Sequence, residues 1–239
     1  MNELTLRVVL TGATGGIGTA IARRLARRGV RLALVGSSLE KVTTLARELE
    51  AASPSLSLAG DLALSDTPQR LIREAAQHMG GIDVLINNAG VAHSAAWNDT
   101  TVDAFDRCMA INARAPFLLA QAARPYLLES KRAAIVNIAS VAAHTGYKNE
   151  LAYAASKHAL LGISKVLATE LQPHDVRVHV ISTGGVASPM LTNLHPDADL
   201  SAFMDPDDVA RAVEFVLDSR SNAVIDEIRI RRRTSSPVW

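Results

Sequence analysis

The feature that most constrains this chain is a regular alternation of short apolar runs with stretches of helical period. Leu6–Thr11, Arg31–Val35, Leu56–Ala59, Asp83–Asn87, Ala134–Ala139, Val176–Ile181 and Val224–Ile230 read as strands. Helical patterns fall between them at Ile17–Arg28, Leu39–Ala51, Thr67–Met79, Val102–Leu128, from Tyr153 through Leu171, and at Asp207–Leu217. Ile17, Ile21 and Leu25 mark the inner stripe of the first helix, and Gly29 is placed to end it. Strands that are apolar almost throughout are buried on both faces, which requires helices above and below a parallel sheet. The expected architecture is a doubly wound, three-layer α/β fold with a seven-stranded parallel sheet. No linker, repeat or low-complexity tract divides the 239 residues, so they read as a single domain, 1–239. A chain with 48% hydrophobic residues can bury one substantial core at this length.

Charge excludes several partners. The formal net charge is +1, so no global field favours nucleic acid or an anionic membrane surface. No apolar run is long enough to span a bilayer and no basic-then-apolar leader is visible, so a soluble cytoplasmic protein is expected. The one cysteine, Cys108, cannot form an intramolecular disulfide and reads as a small buried hydrophobe.

Two places carry chemistry. The first strand runs into Thr11-Gly12-Ala13-Thr14-Gly15-Gly16-Ile17-Gly18. In a doubly wound sheet this turn is where a dinucleotide lies, because glycines admit phosphate to the backbone and a helix N-terminus offers N–H groups and positive dipole. The second place is Tyr153 and Lys157, four residues apart on a helix and therefore on one face. An ammonium beside a phenol favours phenolate, so the pair is expected to bring the tyrosine pKa down towards neutrality and make it a general acid/base. Ser140, at the end of the fifth strand, is placed to donate a hydrogen bond to the same substrate oxygen.

Thr-Gly-x-x-x-Gly-x-Gly at 11–18, Asn87-Asn88-Ala89-Gly90 after the fourth strand, Ser140 and Tyr153-x-x-x-Lys157 together resemble the short-chain dehydrogenase/reductase family in its single-domain branch. The resemblance spans nearly the whole chain and implies a Rossmann fold and reversible hydride transfer. It implies that Thr11, Gly12, Thr14, Gly15, Gly16, Ile17 and Gly18 border the cofactor pyrophosphate. Asp61 would bond the adenine amino group with Leu62 beside it, and Asn88, Ala89 and Gly90 would floor the cleft. Ser140 would orient a carbonyl, Tyr153 would move the proton, and Lys157 would grip the nicotinamide ribose. Asn112 would hold a water linking Lys157 to solvent. No metal is implied.

The chain departs from the family pattern in two places. After the sixth strand it reads Thr183-Gly184-Gly185-Val186-Ala187-Ser188 where a Pro-Gly is usual; Gly184, Val186 and Ser188 keep the positions that contact the nicotinamide amide. The family's frequent Asp-Gly-Gly ending is also absent, and the last residues carry Arg229, Arg231, Arg232 and Arg233, read as a solvated tail or a subunit-interface segment, with an anionic partner as the alternative. At the end of strand two, Gly36 stands where a carboxylate would reject a 2′-phosphate, and Ser37 and Ser38 follow. Absence of that acid favours NADP (NADPH) over NAD, although no arginine takes its place. His93, His144, Asn149 and Met190 are expected to face a substrate pocket, with a lid over about 186–204 that includes Met190 to His195. The resemblance implies an NADPH-dependent ketone or 3-oxoacyl reductase acting on a small-molecule carbonyl or alcohol. The alternatives are NAD-dependent oxidation of a polyol, sugar acid or hydroxy acid, and a non-catalytic nucleotide-binding scaffold. The long helices at 102–128 and 153–171 resemble those through which such proteins form homotetramers, or homodimers.

Overall fold

The computed structural model describes residues 5–194 and 196–236, so His195 lies outside the described residues. The strands are β1 (Arg7–Thr11), β2 (Arg31–Gly36), β3 (Ser55–Ala59), β4 (Val84–Asn87), β5 (Ala134–Ser140), β6 (Arg177–Thr183) and β7 (Glu227–Ile230). They form one sheet in the order β3-β2-β1-β4-β5-β6-β7, with every pairing parallel. Strand order reverses between β1 and β4, and the crevice beyond the carboxyl ends of those two strands is where ligands bind in such sheets.

Pleating divides the core in two. β1 sends Val8 and Leu10 to one face and Val9 to the other. Val8 and Leu10 meet α1 (Gly16–Ala26), α2 (Leu39–Leu49) and α8 (Pro206–Asp218) through Ile21, Leu25, Val42 and Val213. Val9 meets α3 (Thr67–Met79) and α5 (Ala115–Leu128) through Leu71, Ala75, Leu119 and Ala123. α6 (Leu151–Leu171) joins that second layer with Leu171. Arg24 of α1 fixes α8 by pairing with Asp207 at 2.6 Å and Glu214 at 2.8 Å.

The helix expected at 102–128 is interrupted. α4 (Val102–Met109) passes through a π-helical turn, Ala110–Arg114, before α5 begins. Helical period alone does not reveal this, because the cause is a distant contact made by Asn112. The expected lid contains a short helix, α7 (Pro189–Leu194), and a 3-10 turn, Leu200–Ala202. The last strand is shorter than its apolar pattern: Val224 is exposed, and pairing with β6 begins at Glu227.

Candidate active site

Site building begins at the turn after β1. Gly12 sits at φ +63°, and a Cβ there would lie 2.7 Å from the Ala89 Cα. A side chain at Gly18 would strike the Gly12 carbonyl oxygen. The glycines thus let three backbone segments converge. Thr11 locks them: its buried hydroxyl accepts from the N–H of Asn88 and of Ala89, both at 3.1 Å. Asn88 returns two bonds through Nδ2, to the carbonyls of Thr11 at 3.1 Å and Gly12 at 3.0 Å. Gly15 precedes α1 without a side chain to cap it, which leaves the first turn's N–H groups turned towards the crevice.

A cleft of about 310 Å³ lies above this turn, lined by Gly12, Thr14, Gly15, Gly16, Ile17 and Gly18 on one side. Gly36, Ser37, Asp61, Leu62, Ala89 and Gly90 complete it. An uncapped helix start and glycine backbone bordering the crevice fit a dinucleotide. Two of the expected contacts also serve the fold. Thr11 is buried beneath the cleft as the lock just described. Ser38 caps α2 by accepting from the Lys41 N–H at 3.4 Å. Asn88 and Ala89 line the cleft beside Gly12. Arg107, which sequence reading did not single out, also lines the cleft and stands 3.6 Å from Asp61. Nothing local marks Arg107, since α4 and the loop after β3 are brought together only by the fold.

A second cavity, of about 380 Å³, adjoins the first, and Ile17, Ser188 and Met190 border both. Ser140, Tyr153, Thr183, Gly184 and Val186 form its inner wall. Tyr153 and Ser140 share this wall, near enough for Ser140 to favour the ionised form of the phenol, and Ser140 Oγ accepts from the Ala142 N–H at 3.1 Å. Lys157 is buried one turn on; its Nζ lies 5.8 Å from the Tyr153 ring centroid and donates to the Ile138 carbonyl at 3.0 Å.

The expected lowering of the tyrosine pKa is not found. Burial pushes the Tyr153 phenol up to about 12, against a smaller lowering by Ser140 and a further rise from Glu150. Burial likewise takes the Lys157 ammonium down to about 8. Both effects have one cause: removal from water disfavours the charged form of each group. The ammonium gives its hydrogen bond to a main-chain carbonyl rather than to the phenol, so its pull on the phenol is weak.

Asn112, wholly buried in the π-helical turn, sits behind Lys157. Its Oδ1 accepts from the Val91 N–H at 2.8 Å, and its Nδ2 donates to the Val91 carbonyl at 2.8 Å and to Ser156 Oγ at 2.9 Å. Ser156 in turn donates to the Tyr153 carbonyl at 2.7 Å. Both amide hydrogens are committed and one Oδ1 lone pair is left for a further donor. A wide turn is a common device for placing a side chain at a functional site.

Of the pocket residues expected from sequence, two line the cavity and two do not. Met190 lies between the clefts, and His93 lines the wall with an enclosed Nε2 that has no hydrogen-bond partner among the described residues. His144 turns away, its Nε2 2.6 Å from Glu227 Oε1 and 3.2 Å from Ser182 Oγ. Asn149 is an exposed left-handed turn residue, φ 67°, whose carbonyl accepts from the Ala95 N–H. Tyr147 and Glu150 take the wall positions instead. The tail reading also changes: Arg231 and Arg232 lie against this cavity.

The short chain dehydrogenase family model matches residues 7–199, which contain the glycine turn, Asn112, Ser140, Tyr153 and Lys157. The chain belongs to this family. It is 30% identical over 223 residues to an uncharacterized oxidoreductase of Staphylococcus epidermidis, covering 93% of this chain and 95% of that one. It is 33% identical over 232 residues to another from Staphylococcus aureus strain MW2, covering 97% and 99%. Among solved structures, a metagenomic short-chain oxidoreductase in complex with NADP superposes with a TM-score of 0.82 at 33% identity, covering 95% of this chain and 97% of the other. A 3-ketoacyl-(acyl-carrier-protein) reductase from Brucella melitensis complexed with NADH gives 0.86 at 25% identity, covering 96% and 97%. This short-chain dehydrogenase is therefore an oxidoreductase of the nicotinamide-dependent kind.

Proposed function

We propose that the protein is an NADPH-dependent reductase of ketones or 3-oxoacyl compounds. The observation that carries this reading is that Tyr153 and Ser140 line one wall of a cavity that adjoins the dinucleotide cleft. When bound, the nicotinamide supplies a hydride to the carbonyl carbon. Ser140 holds the carbonyl oxygen, and Tyr153 gives that oxygen its proton as the C=O electron pair moves onto it. Burial keeps the Tyr153 hydroxyl protonated, so it carries the proton that reduction consumes. Lys157 would hold the nicotinamide ribose, and turning its ammonium from the Ile138 carbonyl towards the phenol would offset the charge of the phenolate left behind. Asn112 and Ser156 fix the helix turn that carries Tyr153, and the spare Oδ1 lone pair is the place for a water leading from Lys157.

NADPH is favoured over NADH by the end of β2. A Cβ at Gly36 would meet Val42 Cγ2 at 2.6 Å, so an acid there would have to displace a core side chain. Ser37 lines the cleft beside it and offers a hydroxyl to a 2′-phosphate. The neighbour in complex with NADP supports this choice, and the one with NADH keeps the oxidative, NAD-dependent reading of a polyol or hydroxy acid as the second alternative. Titrating the purified protein with each nucleotide, followed by cofactor fluorescence, tests the choice. Tighter binding of NADPH is expected; tighter binding of NADH overturns it. Cytoplasmic residence and a homotetramer, with a homodimer as the simpler form, belong to the same proposal; no described helix is long and apolar enough to cross a membrane.

A further inference from the structure

The arginine-rich segment lies beyond residue 199, where the family match ends. β7 aligns Thr183 with Ile230, and the Gly184 N–H donates to the Ile230 carbonyl at 2.8 Å. The residues that follow Ile230 therefore emerge beside Thr183 and Gly184, on the cavity wall. Glu227 pins the strand in this register by accepting from Ser182 Oγ at 2.6 Å and pairing with His144. Arg229 pairs with Glu227 and takes no part in the cavity. Arg231 and Arg232 line it together with Tyr153 and Ser140.

We infer that Arg231 and Arg232 form a binding site for an anionic group on the substrate, a carboxylate or a phosphate carried by an oxo compound or its alcohol. The inference rests on the carbonyl chemistry proposed for the same cavity. Neither guanidinium makes an ion pair among the described residues. Their bonds go instead to neutral acceptors: Arg231 to the carbonyls of Arg232 at 3.2 Å and Ser235 at 2.6 Å, Arg232 Nε to Ser235 Oγ at 3.2 Å. These contacts hold the side chains in place and leave N–H groups available. Arg232 is further fixed with its guanidinium carbon 4.6 Å from the Phe203 ring centroid, and stacking of this kind leaves the edge of the fork open to a planar anion. Glu150 is the one carboxylate among the described lining residues, so two guanidinium charges face a single opposing one. The balance favours an anion, and charge-assisted bonds from a fixed guanidinium are the strong kind.

The test compares a panel of 2-, 3- and 4-oxo acids with their methyl esters, and glycolaldehyde phosphate and dihydroxyacetone phosphate with their unphosphorylated counterparts. Wild-type protein should prefer the charged member of a pair in kcat/KM, mainly through KM. In Arg231→Gln/Arg232→Gln that preference should fall at least about tenfold, the loss of one charge-assisted bond. Arg231→Lys should restore part of it. Which pair shows the larger ratio distinguishes carboxylate from phosphate. Calorimetric binding of the oxo acids and phosphates to the NADPH complex of Tyr153→Phe gives a readout independent of turnover, and the added double arginine change should weaken it by a similar factor. Unchanged melting temperature and NADPH affinity would show that the arginine variant is folded. Equal handling of charged and neutral members, or an unchanged ratio in the arginine variant, overturns the anion site while leaving the reductase reading intact. Failure of every carbonyl with NADPH bound would instead count against the reductase reading, and the calorimetric arm would then decide the anion site alone.

Discussion

Burial acts on Tyr153 and Lys157 in the same sense, against charge, and the two consequences can be measured separately. A Lys157 pKa of about 8 lies below the ordinary lysine value of about 10.4. Between those values the unfolded chain binds the proton more tightly, so stability rises as pH climbs from about 8 and the full cost of the buried ammonium is borne below it. Lys157→Met should therefore raise the melting temperature at pH 7 and lower turnover sharply; a lower melting temperature would show that the bond to the Ile138 carbonyl outweighs desolvation. Tyr153 behaves oppositely: with its pKa raised to about 12, the folded state holds the proton longer, and stability falls as pH rises from about 10. The sequence spacing correctly placed both residues on one helix face. It could not show where the Lys157 ammonium points, because that depends on a β5 carbonyl far away in the chain.

At the level of elements, the clasp at the amino ends of β1 and β4 illustrates how strands are held in register. Asp83, just before β4, accepts from the Arg7 backbone N–H and Nε, both at 2.9 Å, from Arg7 Nη2 at 2.8 Å, and from Ser130 Oγ at 2.6 Å. Burial alone would raise its pKa, but these bonds hold it below the ordinary carboxylate value. Its contribution is complete above about pH 4 and is lost as pH falls towards the depressed folded value. Asp83→Asn should cost about 2–4 kcal/mol at pH 7, with the difference from wild type shrinking below about pH 4 in urea melts. An equal difference at pH 7 and pH 3 would contradict this. Periodicity located Thr67–Met79 to the residue and every strand to within a few positions. It missed the π-helical turn at Ala110–Arg114, since what widens the helix is Asn112 reaching the Val91 backbone and Ser156.

On the scale of the whole molecule, the fold and the grouping of Ser140, Tyr153 and Lys157 at one cavity were legible because glycine placement, strand–helix alternation and helical spacing are local signals. The rest of the cavity wall was not. His144 and Asn149 lie close to α6 in sequence yet serve β7 and a turn, whereas Arg231 and Arg232 reach the cavity from more than 70 residues further on through a parallel pairing. The exposed faces also bear on assembly: Val102 of α4, Phe117 of α5 and Val166 of α6 are 74%, 43% and 56% exposed, apolar surface that a subunit partner would cover. Light scattering should report a tetramer or, failing that, a dimer; a monomer at micromolar concentration would refute the proposed assembly. Proton transfer by Tyr153 in a nicotinamide-dependent reduction is tested by Tyr153→Phe, assayed in parallel for NADPH binding and for carbonyl-dependent NADPH oxidation. The expected result is near wild-type nucleotide affinity with turnover reduced at least about 100-fold. Retention of more than about a tenth of the wild-type rate, set against that same scale for a lost general acid, would contradict the account.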